Sequence, residues 1–82
     1  MANKTLQLTI TRVDGPVYTG AVEGVIVPGI AGDMTILPQH AALISPLRPG
    51  TLTILHEGGR REDFMVTQGT LEVSDNQATV LL

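Results

Sequence analysis

Thr5-Leu6-Gln7-Leu8-Thr9-Ile10-Thr11-Arg12-Val13, followed by Asp14-Gly15-Pro16, sets the pattern that the rest of the chain repeats. Leu6, Leu8 and Ile10 alternate with Gln7, Thr9 and Thr11. A period of two sends the aliphatic side chains to one face of an extended strand and the polar ones to the other. Asp14-Gly15-Pro16 then predicts a turn, because glycine tolerates positive φ and the proline ring presets its own.

Working outward, Val17–Ala21 and Val22–Val27 read as further short strands, with Gly20 and Gly24 marking a bend or bulge. Pro28-Gly29, closed by Gly32, predicts the next turn. Asp33–Leu37 and Ala42–Leu47 are strand candidates around Pro38-Gln39-His40. Pro46 assigns the end of the second to an edge or bulge, since it cannot donate a ladder hydrogen bond. Arg48-Pro49-Gly50 is a turn, and Thr51–His56 alternates again with Leu52 and Ile54 inward. Gly58-Gly59 signals a hairpin leading into Arg60–Val66. Gly69 precedes Thr70–Ser74, Asp75-Asn76 turns the chain, and Gln77–Leu82 finishes it as a strand. No stretch carries a helical apolar period. Roughly eight to ten short strands at this spacing predict an all-β chain, a β-sandwich or flattened barrel.

The 82 residues make a single domain, 1–82. A chain this short buries only about 60–65% of its unfolded surface, so the core is thin. That core is aliphatic, because Tyr18 and Phe64 are the only aromatic residues. With no cysteine, disulfides and thiolate metal sites are excluded. The net charge of −3 argues against nucleic acid, which needs clustered Lys and Arg, and Glu62-Asp63 cancel the one basic pair, Arg60-Arg61. No apolar run approaches the roughly 20 residues that span a bilayer. Met1-Ala2-Asn3-Lys4 shows no signal-peptide h-region. A soluble, intracellular chain is expected.

Catalytic chemistry finds little footing. His40 and His56 are the only imidazoles, and a metal site would need partners from elsewhere. Ser45, His40 and Asp33 could form a nucleophilic set, but nothing in their spacing requires it. Gly29-Ile30-Ala31-Gly32 lacks the Lys-Ser/Thr of a phosphate loop. Glu62 and Asp63, adjacent in a strand, point to opposite faces and cannot act as a carboxylate pair. Neither a cofactor nor a metal is expected. The unusual feature is Gly24–Leu47, where Asp33 is the only formal charge among Val25, Ile26, Val27, Ile30, Met34, Ile36, Leu37, Leu43, Ile44 and Leu47. A sheet with one solvated face hides only half of such residues, so some reach the surface as an apolar docking patch.

The motifs Val27-Pro28-Gly29, Gly32-Asp33-Met34-Thr35-Ile36-Leu37-Pro38-Gln39-His40-Ala41-Ala42-Leu43-Ile44 and Leu47-Arg48-Pro49-Gly50 carry a resemblance. Val17–Glu23, Gly69–Val73 and Asn76–Leu81 extend it over nearly the whole chain. The sequence resembles the N-terminal domain of the ε subunit of F-type ATP synthase. That resemblance implies a sandwich of two sheets of about five strands. It also implies a non-catalytic role in the rotor's central stalk, coupling the γ subunit to the membrane c-ring during proton-driven ATP synthesis. Contact with the α/β assembly is then indirect, and the chain does not insert into the membrane. By resemblance, Gly29, Ile30, Ala31, Gly32 and Asp33 meet the c-ring, while Arg12, His40, Leu43 and Ser45 face γ. The implied location is peripheral, on the cytoplasmic face of the bacterial inner membrane, with the stromal face of the thylakoid as the alternative.

Two residues depart from the family pattern. Gln39 stands where glycine is usual and Ala42 where proline is usual; if that glycine has positive φ, either Gln39 costs about 1 kcal/mol of local strain or the turn differs. Family members also usually continue into a two-helix C-terminal domain. Nothing in residues 1–82 corresponds to those helices, so neither their inhibitory role nor their nucleotide site is expected of these residues. The other classes of function open to the chain are a small β-sandwich that binds a ligand or serves as an adaptor, and a hydrolase or metal enzyme using His40.

Overall fold

A computed structural model describes residues 4–82. The signal-peptide reading therefore falls mostly on Met1–Asn3, outside the described residues. Among the described residues nine strands follow one another: β1 Leu6–Arg12, β2 Gly15–Val22, β3 Gly24–Gly29, β4 Gly32–Ile36, β5 Leu43–Leu47, β6 Gly50–Leu55, β7 Arg61–Val66, β8 Gly69–Ser74 and β9 Gln77–Leu81. A single 3₁₀ turn, Glu57–Gly59, joins β6 to β7. Among the described residues no helix is long and apolar enough to cross a membrane.

The strands form two leaves of a sandwich. One runs β2-β1-β9-β8-β5, and the other comprises β4, β3, β6 and β7. A narrow bridge makes them one curled sheet. Gly29 pairs with Leu47, flanked by Ile30 N–H to Pro46 O (3.0 Å) and Arg48 N–H to Pro28 O (2.8 Å). Pro46 accepts there without needing to donate, which is why a proline is tolerated on this edge. The far seam is held by Glu23 N–H to Leu55 O at 2.8 Å and by Tyr18, edge-on to His56 with centroids 5.7 Å apart. His56 Nε2 lies 2.8 Å from Glu62 Oε1.

Alternation builds the core. Leu6, Leu8 and Ile10 of β1 are fully buried, and across the sandwich Val25, Val27, Leu52 and Ile54 meet them in one aliphatic cluster. Leu71, Val73, Ala78 and Val80 complete the β8–β9 portion. The acids of β7 diverge as the period of two requires: Glu62 turns inward to His56, while Asp63 accepts from Thr53 Oγ1 at 2.8 Å.

Two local expectations are corrected. The irregularity in β2 lies where the register slips between Ile10 and Thr11, leaving Val17 as the extra residue, and Gly20 pairs regularly with Leu8. Gly20 is small because the Tyr18 ring folds over it: a Cβ there would stand 2.9 Å from the hydroxyl. The apolar segment Gly24–Leu47 also forms no single exposed patch. Val25, Val27, Ile36 and Leu47 are core, whereas Ile30, Leu37 and Ile44 are exposed at three separate places. Ile30 and Leu37 follow opposite ends of the β3–β4 pair, and Ile44 lies on the outer side of the other leaf.

Candidate docking surface

The pairing registers bring four turns to one end of the sandwich. Arg12 opposite Gly15 closes β1–β2 with Val13-Asp14, and Gly29 opposite Gly32 closes β3–β4 with Ile30-Ala31. The links Gly29–Leu47, Leu47–Gly69, Thr70–Leu81 and Thr11–Leu81 place the β5–β6 and β7–β8 turns at this same end. Tight hairpin turns normally carry polar residues, yet here Val13 and Ile30 are exposed apolar tips. The charges at this end, Arg12, Asp14, Asp33 and Arg48, balance. The opposite end carries more charge, Lys4, Glu23, Glu57, Arg60, Arg61 and Asp75, all exposed, with Leu37 as its exposed apolar side chain. The two ends therefore offer different chemistry, and the first is suited to docking.

The β3–β4 turn, Gly29–Asp33, is rigidly built. A Cβ on Gly29 would lie 2.7 Å from Gly32 O, so only glycine lets the strands close this tightly. Arg48 lies along the turn: its Nε donates to Gly29 O at 3.1 Å and its Nη2 to Asp33 Oδ1 at 3.2 Å. The result is a foot tipped by Ile30 and Ala31, with the Arg48–Asp33 pair beside it.

His40, Leu43 and Ser45 are brought together along the edge strand β5 and the turn before it. His40 and Leu43 are half-buried. His40 Nδ1 lies 2.8 Å from Ala41 O, and Ser45 Oγ donates to Pro46 O at 3.0 Å. Asp33 is held by Arg48 at the foot, so Ser45, His40 and Asp33 are engaged separately and form no catalytic set. Arg12 does not join them. It ends β1 beside the foot, at the opposite end of the molecule from His40.

The turn before β5 matches type II. His40 N–H bonds Leu37 O at 3.1 Å, Pro38 occupies the first central position, and Gln39 has φ 65°. The expected strain at Gln39 is present. It is offset by Asn76, whose Oδ1 accepts from Gln39 N–H at 2.9 Å. Sequence reasoning missed Asn76 and Arg48 as anything beyond turn residues. The one available hint was an acid and a base, Asp33 and Arg48, each beside a turn in an otherwise uncharged stretch.

A family model described as the β-sandwich domain of the ATP synthase delta/epsilon chain matches residues 5–82. The chain belongs to that family. Among curated relatives, the ATP synthase epsilon chain of a Nitratiruptor species is 40% identical over 78 residues, covering 95% of this chain and 60% of the relative. That of Acidithiobacillus ferridurans is 39% identical over 77 residues, covering 94% and 54%. The chain thus spans little more than half the length of these relatives. Among solved structures, a chain of the Euglena gracilis mitochondrial ATP synthase, OSCP/F1/c-ring, superposes with a TM-score of 0.92 at 24% identity, over 99% of this chain and 52% of that one. A chain of the Tetrahymena thermophila mitochondrial enzyme's central stalk and c-ring gives 0.76 at 19% identity, over 99% and 65%. At such identities the likeness is one of fold, and this family's sandwich is the fold described above.

Proposed function

We propose that this chain is a non-catalytic central-stalk module of a rotary ATP synthase. It links a γ-type subunit to the c-ring and meets the α/β assembly only through γ. The observation that carries this reading is the contrast between the sandwich ends, in a member of the delta/epsilon family: two turns tipped by the exposed apolar residues Val13 and Ile30 at one, and a denser set of exposed charges around Leu37 at the other. The Gly29–Asp33 foot, with Ile30 and Ala31 at its tip, rests on the polar loops of the c-ring. His40, Leu43 and Ser45 form a γ-facing edge along β5. Arg12, placed beside the foot, meets γ where the stalk reaches the ring. The complex holds the chain peripherally at the cytoplasmic face of a bacterial inner membrane, or at the stromal face of the thylakoid if the source is a plastid, and needs no nucleic acid, cofactor or metal from it.

Capture of purified γ, and of γ assembled on the c-ring, by the immobilised chain tests the proposal. Tighter capture of the γ–c-ring assembly than of γ alone is expected. A folded chain that captures neither at micromolar concentration would sink it. A ligand-binding reading has weaker support, an open trough of about 410 Å³ beside Leu43, Ile44 and Val73. A small apolar ligand occupying it would raise the melting temperature by mass action.

A further inference from the structure

Asp33 is the sole formal charge between Gly24 and Leu47, which makes it the obvious polar contact of the foot. The geometry points elsewhere. We infer that Arg48 is the polar residue through which the foot meets its partner, and that Asp33 serves to aim the Arg48 guanidinium.

Arg48 is fastened at three points. Its backbone N–H donates to Pro28 O at 2.8 Å, its Nε to Gly29 O at 3.1 Å and its Nη2 to Asp33 Oδ1 at 3.2 Å. The guanidinium therefore spans the base of the turn whose tip is Ile30-Ala31. A guanidinium carries five N–H donors in a fixed plane, and these contacts use two of them. Nη1 has no acceptor among the described residues, and the side chain remains 45% exposed. A donor plane already fixed in place loses little freedom on binding. Asp33 is the less prepared partner: its side chain is 68% exposed and held by one oxygen. Beside Arg48 its charge is also matched, so the foot is close to electroneutral.

The chemistry that fits a fixed, donor-only plane next to an apolar tip is a polar loop presenting oxygen acceptors: carboxylate, carboxamide or backbone carbonyl. This inference rests on the c-ring reading of the foot, and it names the acceptor-bearing loop of the ring as the occupant. Arginine is specific here, because the point charge of a lysine ammonium cannot span Gly29 O and Asp33 Oδ1 while facing a third acceptor.

The test measures binding of the full chain to γ alone and to γ assembled on the c-ring, for Arg48→Gln, Arg48→Lys, Asp33→Asn and Ile30→Asp, with a chemical-denaturation curve for each. Arg48→Gln is expected to weaken binding to the γ–c-ring assembly at least tenfold and to leave binding to γ alone unchanged. Arg48→Lys stays weakened. Asp33→Asn loses no more than about threefold, because the carboxamide oxygen still accepts from Arg48. If Asp33→Asn weakens binding as much as Arg48→Gln, or Arg48→Lys retains full binding, the assignment is overturned. An equal loss toward γ alone overturns it too, by placing Arg48 on the γ side. Should Arg48→Gln fail to fold, the Lys variant carries the comparison. Ile30→Asp separates this inference from the reading beneath it. Loss with Ile30→Asp but none with Arg48→Gln refutes only the role of Arg48, whereas no loss with either removes the c-ring foot itself.

Discussion

Asn76 accepts a hydrogen bond from the backbone N–H of Gln39, 37 residues earlier in the chain, at 2.9 Å. The same side chain donates through Nδ2 to Thr5 O at 2.9 Å, and the backbone carbonyl of Asn76 accepts from Gln7 N–H at 3.1 Å. One residue thus ties the β8–β9 turn to the start of β1 and to the type II turn that leads into β5. Both ends of the Gln39–Asn76 bond are unusual backbones, with φ 65° at Gln39 and 59° at Asn76.

Gln39→Gly isolates the strain. A non-glycine residue in the left-handed region costs about 1–2 kcal/mol, and glycine recovers this while adding about 0.4–1 kcal/mol of unfolded-state entropy. The expected net effect is a gain of roughly 0.5–1 kcal/mol in a urea titration. A clear loss of stability would show that the Gln39 side chain contributes something beyond its backbone position.

Asn76→Gly and Asn76→Ala separate conformation from hydrogen bonding. Asp75 and Asn76 both have positive φ, the signature of a type I′ hairpin turn. Glycine keeps that conformation and loses only the two side-chain bonds, for an expected cost of about 1–2 kcal/mol. Alanine loses the bonds and is strained as well, so it should cost about 1 kcal/mol more. Equal losses in the two variants would remove the conformational part of the account.

Leu43→Asp and Ile44→Asp, neighbours in β5, are expected to behave oppositely. Leu43 points inward and packs against the core, while Ile44 is 74% exposed on the outer face. Leu43→Asp places an unpaired carboxylate against apolar side chains and should cost about 3 kcal/mol or more. Ile44→Asp should stay within about 0.5 kcal/mol of the parent. Thermal or chemical denaturation reads both, and capture of γ is informative for Leu43 only through a milder change such as Leu43→Ala.

Gly69→Ala is expected to damage the β8–β9 pairing. A Cβ at Gly69 would lie 2.5 Å from Leu81 O, a backbone atom that cannot swing aside. Overpacking of this kind costs roughly 1–3 kcal/mol. The loss should appear as faster hydrogen exchange at Thr70 and Leu81, which pair there.

Much of this molecule is legible one segment at a time. The alternation in Leu6–Ile10, the presence of turns near Asp14 and at Asp75-Asn76 and the edge position of Pro46 each follow from a few neighbouring residues, because strand faces and turn backbones are set by local sterics and by where side chains must be buried. The motifs around Gly32–Ile44 carry the family, and the departure at Gln39 correctly marks a positive φ. What only the tertiary structure decides involves partners far apart in the chain. Examples are the parallel pairing of β1 with β9, the Gln39–Asn76 bond, the hold of Arg48 on Gly29 and Asp33, and the separation of Arg12 from His40. None of these has a local signature. They come into being when the curled sheet closes and brings turns from distant parts of the chain to the same end. The apolar segment Gly24–Leu47 shows the division: its sequence says that some of its side chains must be exposed, and only the closed sandwich says which, and that they lie apart.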